Sequence, residues 1–144
     1  AISGKIFGDH KAKLENLARS LNIENRVTWL GYVPDDLLPN LYSEAAAFIF
    51  PSLYEGFGLP ILEAMACGCP TLSSNMASLP EIGGKAAHFF DPKEIGDMAE
   101  AIKKVCEDSV YRQKLAQGGP KHAKKFSWES STKKHMELFE TVLN

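Results

Sequence analysis

Residues 46–64 read AAFIFPSLYEGFGLPILEA, and this stretch decides the fold. Its first part, Ala46 to Pro51, is an apolar run without alternation, which is typical of a strand buried on both faces of a parallel sheet. A loop then extends to Gly58, and Pro60 stands where the first turn of a helix tolerates proline. The stretch therefore predicts a strand, a loop and a helix in succession, which is the βα unit of a parallel sheet.

The same alternation of short strands and longer helices extends over the rest of the chain. Further strands are predicted at Ala1–Gly4, Arg26–Leu30, Pro70–Ser73 and Ala86–Phe90. Helices are predicted at Asp9–Leu21, after Pro34 to about Ala45, from Pro60 toward Cys67, at Leu79–Ile82, at Ile95–Val105, at Ser109–Gln117 and from Ser127 onward. The segment Gly118-Gly119-Pro120 is expected to end the helix before it. The fold class is α/β, a doubly wound parallel sheet with helices on both faces, in which ligands bind at the carboxyl ends of the strands.

Composition and charge exclude several classes of protein. The chain has 144 residues, 44% of them apolar, which is enough for one ordinary hydrophobic core. Sixteen Lys and Arg residues against eighteen Asp and Glu give a formal charge of −2, which argues against a binder of nucleic acid. The longest nearly uncharged apolar stretch, Ala45 to Leu53, has about half of the ~20 residues in a membrane-spanning helix. Three cysteines do not form a disulfide framework, which favours a reducing, cytoplasmic location.

Two acidic residues bracket the loop and the start of the helix that follows it. Glu55 lies in the loop after the predicted strand and Glu63 about one turn inside the helix, so both can face one crevice. Gly56 and Gly58 leave free N–H groups at a helix N-terminus, which suits an anion, and carboxylates accept paired hydrogen bonds from vicinal diols. The pattern fits a nucleotide sugar, with a sugar at each end and phosphate between. From the spacing alone, two solvated acids at a helix start are the alternative.

The stretch also resembles a known family. Glu55 and Glu63 form an E-x7-E motif, and with the flanking Tyr54–Pro60 and Glu63–Pro70 they closely resemble the C-terminal, donor-binding half of the GT-B retaining glycosyltransferases of group one. Further matches follow in the family's order at Arg26–Val33, Leu41-Tyr42, Leu79–Ile82, Asp91-Pro92 and Phe126–Trp128. The resemblance implies a Rossmann-like domain that binds a nucleotide-sugar donor for retaining transfer of a hexose to a glycan, lipid or small acceptor, as in polysaccharide biosynthesis.

The resemblance also implies roles for single residues. The implied site residues are Glu55 as the catalytic residue, Glu55, Gly56, Phe57 and Gly58 for the donor sugar, Leu59 for the diphosphate, Glu63 for the ribose, and Gly31, Tyr32 and Val33 beside the base. Neither glutamate acts as a general base in this scheme. The family needs no bound metal and no cofactor, because basic side chains and the helix dipole stabilise the departing nucleoside diphosphate.

Two parts of the family's pattern have no counterpart in these residues. The Arg and Lys that bind the diphosphate in the family are expected upstream of Ala1, and the N-terminal domain that binds the acceptor is missing. Residues 1–144 are therefore expected to be a single nucleotide-sugar-binding domain, truncated at its N-terminus and inactive alone, with membrane contact possible through the missing part. The alternatives are a non-catalytic module that binds a nucleotide or nucleotide sugar, and a purely structural α/β domain.

Other groups of polar residues are interpreted as structural. Cys67 and Cys69 have no His or second Cys pair to complete a tetrahedral metal site, so they are predicted to be small core residues. The basic run Lys121 to Lys125 is predicted to be a solvated helical face, with contact to an anionic membrane as the alternative. Phe57 is either a ligand contact or a loop residue that packs on the core.

Overall fold

The structure is a computed structural model that describes residues 1–4 and 8–143. The chain divides into two units, Ala1–Leu38 and Pro39–Asn144, and each is described by itself. The expectation of a single domain over residues 1–144 stays a prediction.

The first unit pairs two short parallel strands, β1 (Ile2–Ser3) and β2 (Trp29–Gly31), and carries helix α1 (His10–Ser20) between them in sequence. The helix is the one predicted at Asp9–Leu21. The strand predicted at Arg26–Leu30 was placed too early, because a 3-10 turn occupies Glu24–Arg26. In that turn the N–H of Arg26 donates to the carbonyl of Ile23 at 2.9 Å, so it is not available to a strand partner.

The second unit is built on a parallel three-stranded sheet in the order β3-β4-β5. Its strands are β3 (Phe48–Phe50), β4 (Thr71–Ser74) and β5 (Ala87–Phe90). The remaining helices are α2 (Leu38–Glu44), α3 (Leu59–Ala66), α4 (Leu79–Gly83), α5 (Ile95–Glu107), α6 (Ser109–Ala123) and α7 (Trp128–Leu143). Ser127 precedes α7, and its side-chain oxygen accepts from the N–H of Ser130 at 3.0 Å, as expected of an N-cap.

Two hydrophobic clusters lie on opposite faces of this sheet, because successive side chains of a strand alternate between its faces. One cluster contains Ile61, Leu62, Met65, Leu79, Ile82, Ala86 and Ala87, with Phe48, Phe50 and Phe89 packed against it. The other contains Leu72, Phe90, Ala101, Val105 and Leu115. Helices α3 and α4 supply the first cluster, and α5 and α6 supply the second. The predicted α/β architecture with helices on both faces is confirmed.

The most deeply buried strand of the sheet is β4 and not β3. All four residues of β4 are buried, whereas Ile49 in the middle of β3 is 36% exposed. The reason is position: β4 is hydrogen-bonded on both sides, while β3 pairs with β4 alone in this sheet. The apolar run at 46–51 therefore identified a strand correctly, and among residues 1–4 and 8–143 this strand has a hydrogen-bonded neighbour on one side.

Helix α6 continues through the Gly118-Gly119-Pro120 segment that was predicted to end it. The helix survives its internal proline because it packs closely against α3 at this point. A Cβ atom added to Gly119 would lie 3.0 Å from the carbonyl oxygen of Met65 and 3.2 Å from its Cα. The glycine thus permits a close helix crossing, and that tertiary contact outweighs the weak helix propensity of the segment.

The two adjacent glycines of α6 are expected to respond oppositely to alanine. Gly119→Ala should lower the free energy of unfolding by about 1–3 kcal/mol, because the new methyl group meets backbone atoms that cannot move aside. Gly118→Ala should raise the free energy of unfolding by up to about 1 kcal/mol, because no atom lies within 4 Å of the added Cβ and alanine has the higher helix propensity. Urea denaturation of both variants measures the two changes in free energy of unfolding. Equal changes would contradict a close crossing of α6 and α3 at Gly119.

Within the described part of the chain, no helix combines the length and the apolar character that are needed to cross a bilayer.

Candidate functional site

The site predicted from the sequence lies at the carboxyl ends of β3 and β4. The loop of residues 51–58, called the donor loop below, connects β3 to α3. Ser74, the last residue of β4, donates its hydroxyl hydrogen to the carbonyl of Ser52 at 2.5 Å. This bond ties the donor loop to the neighbouring strand, which is the usual location for a ligand site in a parallel sheet.

Glu55 is half-buried in this loop and is held through both its side chain and its backbone. The hydroxyl of Ser52 donates to Glu55 Oε1 at 2.9 Å. The hydroxyl oxygen of Ser78, the residue before α4, lies 3.0 Å from the carbonyl oxygen of Glu55 and 3.1 Å from that of Phe57. Because Ser78 contacts both carbonyls, it fixes the orientation of the peptide groups that follow Glu55 and Phe57.

Several backbone N–H groups at the end of the donor loop and at the start of α3 make no hydrogen bond within the described part of the protein. Among the described residues, no hydrogen bond engages the N–H of Gly56, Phe57, Gly58 or Leu59. Gly58 precedes α3 with a φ of +102°, a left-handed conformation that favours glycine. The N-terminus of α3 therefore presents unpaired donors at the positive end of a helix dipole, an arrangement that attracts anions.

The side chain of Phe57 packs within the protein, which was one of its two predicted roles. Its ring lies edge-on to Phe126, with 6.1 Å between the ring centroids, although the residue is still 43% exposed. Phe126 lies between α6 and α7. The contact anchors the middle of the donor loop to the C-terminal part of the second unit, and the proposed ligand contact through the Phe57 backbone stays a prediction.

Glu63 lies on the exposed side of α3, on the turn that follows the free N–H groups. The hydroxyl of Tyr42 donates to Glu63 Oε2 at 3.4 Å. Burial, together with the nearby Glu63 carboxylate, raises the pKa of Tyr42 to about 12. The tyrosine is therefore a neutral hydrogen-bond donor at physiological pH.

The residues predicted to border the base, Gly31, Tyr32 and Val33, belong to the first unit. Gly31 closes β2 with a φ of +64°, and its carbonyl accepts from the N–H of Gly4 at 2.7 Å. Tyr32 is exposed and Val33 is half-buried. Their role beside the base stays a prediction.

Of the two cysteines predicted to lie in the core, Cys69 is buried and Cys67 is only half-buried. Cys69 is buried, and burial raises the pKa of its thiol to about 11, so that it stays protonated at neutral pH. Cys67 is half-buried at the end of α3. No group of three or more His, Cys, Asp or Glu side chains suited to a metal ion occurs in residues 1–4 and 8–143.

The sequence did not predict the roles of three residues that support the two glutamates directly or, for Ser74, through Ser52, and it singled out Tyr42 only as part of the Leu41-Tyr42 match to the family. Ser74 and Ser78 are ordinary serines near a strand end, and Tyr42 is one apolar position on a short helix. Each of them donates a hydrogen bond to a residue 21 to 23 positions away in the sequence, and a local pattern does not predict such contacts. The sequence signal that could have indicated these contacts is the presence of serines where strands β3 and β4 end, at Ser52 and Ser74.

Comparison with known proteins agrees with this geometry. Residues 1–122 match the family described as Glycosyl transferases group 1. The O-antigen chain mannosyltransferase B of Escherichia coli is 44% identical over 119 residues, which are 83% of this chain and 31% of that protein. The serotype-specific mannosyltransferase WbdA of Escherichia coli is 35% identical over 143 residues, which are 99% of this chain and 18% of that protein. The chain thus spans less than a third of the length of these two relatives.

A solved structure shows the same fold. Anabaena HepE, crystallised in complex with UDP and glucose, matches with a TM-score of 0.84 and 25% sequence identity, over 96% of this chain and 39% of that one. The chain therefore belongs to the group 1 glycosyl transferases, and its fold is that of the C-terminal half of a GT-B glycosyltransferase.

Proposed function

We propose that this chain binds the nucleotide-sugar donor of a retaining glycosyltransferase, which transfers a hexose to a glycan, lipid or small acceptor. One observation carries the proposal: no hydrogen bond from the described residues engages the N–H groups of Gly56, Phe57 and Gly58 in the donor loop or of Leu59 at the start of α3, and these groups lie between Glu55 and Glu63 in sequence. A diphosphate flanked by two polyhydroxylated rings matches this order of groups.

In this proposal Glu55 is the catalytic residue and contacts the transferred sugar. Its carboxylate accepts hydrogen bonds from sugar hydroxyls, with help from the N–H groups of Gly56, Phe57 and Gly58. The bond from Ser52 leaves the second carboxylate oxygen, Oε2, for this task. These contacts hold the sugar's anomeric carbon in place while the bond to the diphosphate breaks, and the product keeps the donor's anomeric configuration.

The N-terminus of α3 stabilises the leaving group. The N–H of Leu59 and the dipole of α3 face the developing negative charge of the nucleoside diphosphate, and such fixed donors lower the barrier where charge accumulates. Glu63 binds the ribose hydroxyls, and the role of Gly31, Tyr32 and Val33 beside the base is proposed from the family resemblance alone. The chemistry uses no metal or cofactor in this proposal.

The relatives suggest the class of donor and product. Two are named as mannosyltransferases, one of them for O-antigen chains, and HepE was crystallised with UDP and glucose. Together they support a nucleoside-diphosphate hexose as donor and a role in polysaccharide biosynthesis. We place the reaction in the cytoplasm, because three cysteines without a disulfide framework favour a reducing compartment, with peripheral membrane contact through other parts of the full-length protein. A binding module without turnover is the competing function.

Two glutamate variants test the proposed roles. Glu63→Gln should weaken binding of a nucleoside diphosphate by about 10-fold or more, because a carboxylate accepting hydrogen bonds contributes about 1.5–3 kcal/mol. Glu55→Gln should change that affinity by less than about 3-fold, yet remove the extra affinity for the sugar-bearing donor. Calorimetry of the full-length protein with UDP, GDP, ADP and their hexose conjugates measures both.

The control is Glu100→Gln, which removes an exposed carboxylate from α5 and should leave every affinity unchanged. Equal losses for the nucleoside diphosphate in the Glu55 and Glu63 variants would contradict the division of roles. Product analysis by NMR separately tests retention, since a product of inverted anomeric configuration would exclude it.

A further inference from the structure

The hydrogen bond between Tyr42 and Glu63 joins a buried side chain to an exposed one. Tyr42 is 8% exposed, whereas Glu63 lies on the open side of α3. Within the described residues, no other hydrogen bond reaches the Glu63 carboxylate. Tyr42 is therefore the side chain that restrains this carboxylate in the absence of ligand.

The tyrosine is itself held rigidly. Its ring meets Phe48 edge-on, with 5.1 Å between ring centroids, and Phe48 stacks on Phe50 at 5.9 Å. Both phenylalanines belong to β3, the strand that leads into the donor loop. The hydroxyl of Tyr42 is consequently held relative to strand β3, which leads into the donor loop.

A free glutamate on a helix surface samples several rotamers, and ordering it on binding costs conformational entropy. The Tyr42 hydroxyl occupies one site on Oε2 and leaves Oε1 for a ligand. Because burial and the carboxylate hold the pKa of Tyr42 at about 12, the hydroxyl keeps its proton and acts as donor throughout the neutral range. The bond thus orders the carboxylate before the ligand arrives.

We propose that Tyr42 is a positioning residue that holds Glu63 in the orientation needed to accept hydrogen bonds from the ribose 2′ and 3′ hydroxyls of the donor nucleotide. The inference rests on the proposed function, in which Glu63 binds the ribose. It adds a residue from a different helix, α2, to the nucleotide site and gives that residue a defined task.

The test is Tyr42→Phe, which keeps the ring and its packing on Phe48 but removes the hydroxyl. In the full-length protein it should weaken binding of UDP, GDP or ADP, whichever binds, by about 3- to 10-fold, the contribution of one ordinary hydrogen bond, since the oxygen–oxygen distance of 3.4 Å is long for a bond to a carboxylate. Binding of the matching 2′,3′-dideoxynucleoside diphosphate should change by less than about 2-fold, because the orientation of Glu63 no longer matters without ribose hydroxyls. Calorimetry measures both affinities.

Two further variants make the result specific. Tyr111→Phe removes another partly buried tyrosine hydroxyl, bonded to His88 at 2.7 Å, and should leave nucleotide affinity unchanged. In a Glu63→Gln background, Tyr42→Phe should cause no additional loss, because the two residues act as one unit.

Equal losses for the ribose and dideoxy ligands in Tyr42→Phe would overturn the inference and indicate a general structural role for the hydroxyl. No loss for Tyr42→Phe, with a clear ribose-specific loss for Glu63→Gln, would overturn the inference while leaving the proposed function intact. A Glu63→Gln variant that loses no ribose-specific affinity would overturn both.

Discussion

Glu55→Gln is expected to lower kcat/KM for glycosyl transfer by about 100-fold or more in the full-length protein. The amide keeps the size and the planar shape of the side chain but has one acceptor oxygen where the carboxylate has two. The bond from the Ser52 hydroxyl engages one carboxylate oxygen in the present structure, so a neutral amide satisfying Ser52 turns its N–H₂ group toward the sugar. Sugar hydroxyls then lose an acceptor at the position where the donor must be held for bond cleavage.

The larger part of the loss should appear in kcat, because the contact stabilises the transition state more than the bound donor, and the smaller part in KM, because the ground-state contact to the sugar is lost as well. Steady-state kinetics with saturating donor separates the two effects. The matched control is Glu100→Gln, which should retain full activity. A Glu55→Gln enzyme with kcat within about 3-fold of the natural protein would remove Glu55 from the catalytic machinery.

Gly58→Ala is expected to destabilise the chain by about 2–5 kcal/mol, the sum of backbone strain and overpacking. Gly58 has a φ of +102°, and a Cβ atom at this position would lie 2.5 Å from Leu79 Cδ2. Leu79 is completely buried within the cluster that joins α3, α4 and β5, so any shift of its side chain disturbs the packing of that cluster. Alanine therefore distorts either the start of α3 or the core beneath it.

The control for this variant lies two residues earlier. Gly56 has no atom within 4 Å of an added Cβ, and its φ lies outside the left-handed region, so Gly56→Ala should change the free energy of unfolding by less than about 1 kcal/mol. Urea denaturation of the chain compares the two. Similar midpoints for both variants would show that the turn into α3 does not need glycine at position 58.

Local sequence patterns predicted most of the helices and strands, because their signals lie within a few residues. Helix α5 follows from apolar residues at helical spacing between Ile95 and Val105, and the end of α3 follows from Gly68. The error in the second unit arose where tertiary packing determines the structure. Helix α6 continues through Gly119 because α3 packs closely against it at this position.

For the candidate site, the sequence predicted the two glutamates but not the residues that orient them. Glu55 and Glu63 stand out because they flank a Gly-Phe-Gly sequence at a helix start, and the family resemblance assigns them roles. The residues that orient them come from elsewhere in the chain: Ser78 from the turn before α4, and Tyr42 from α2. Such pairings depend on how helices and strands pack, and a single sequence carries no periodic signal for them.

The most direct test of the donor-binding claim is calorimetric titration of the full-length protein with UDP, GDP and ADP and with their hexose conjugates. Specific binding of one nucleoside diphosphate, with an affinity that changes when a hexose is attached and a sugar-dependent part that disappears in Glu55→Gln, is the predicted result. Binding of no nucleotide at millimolar concentration, or binding that is unaffected by both Glu55→Gln and Glu63→Gln, would contradict the claim that the donor loop and α3 form the donor site.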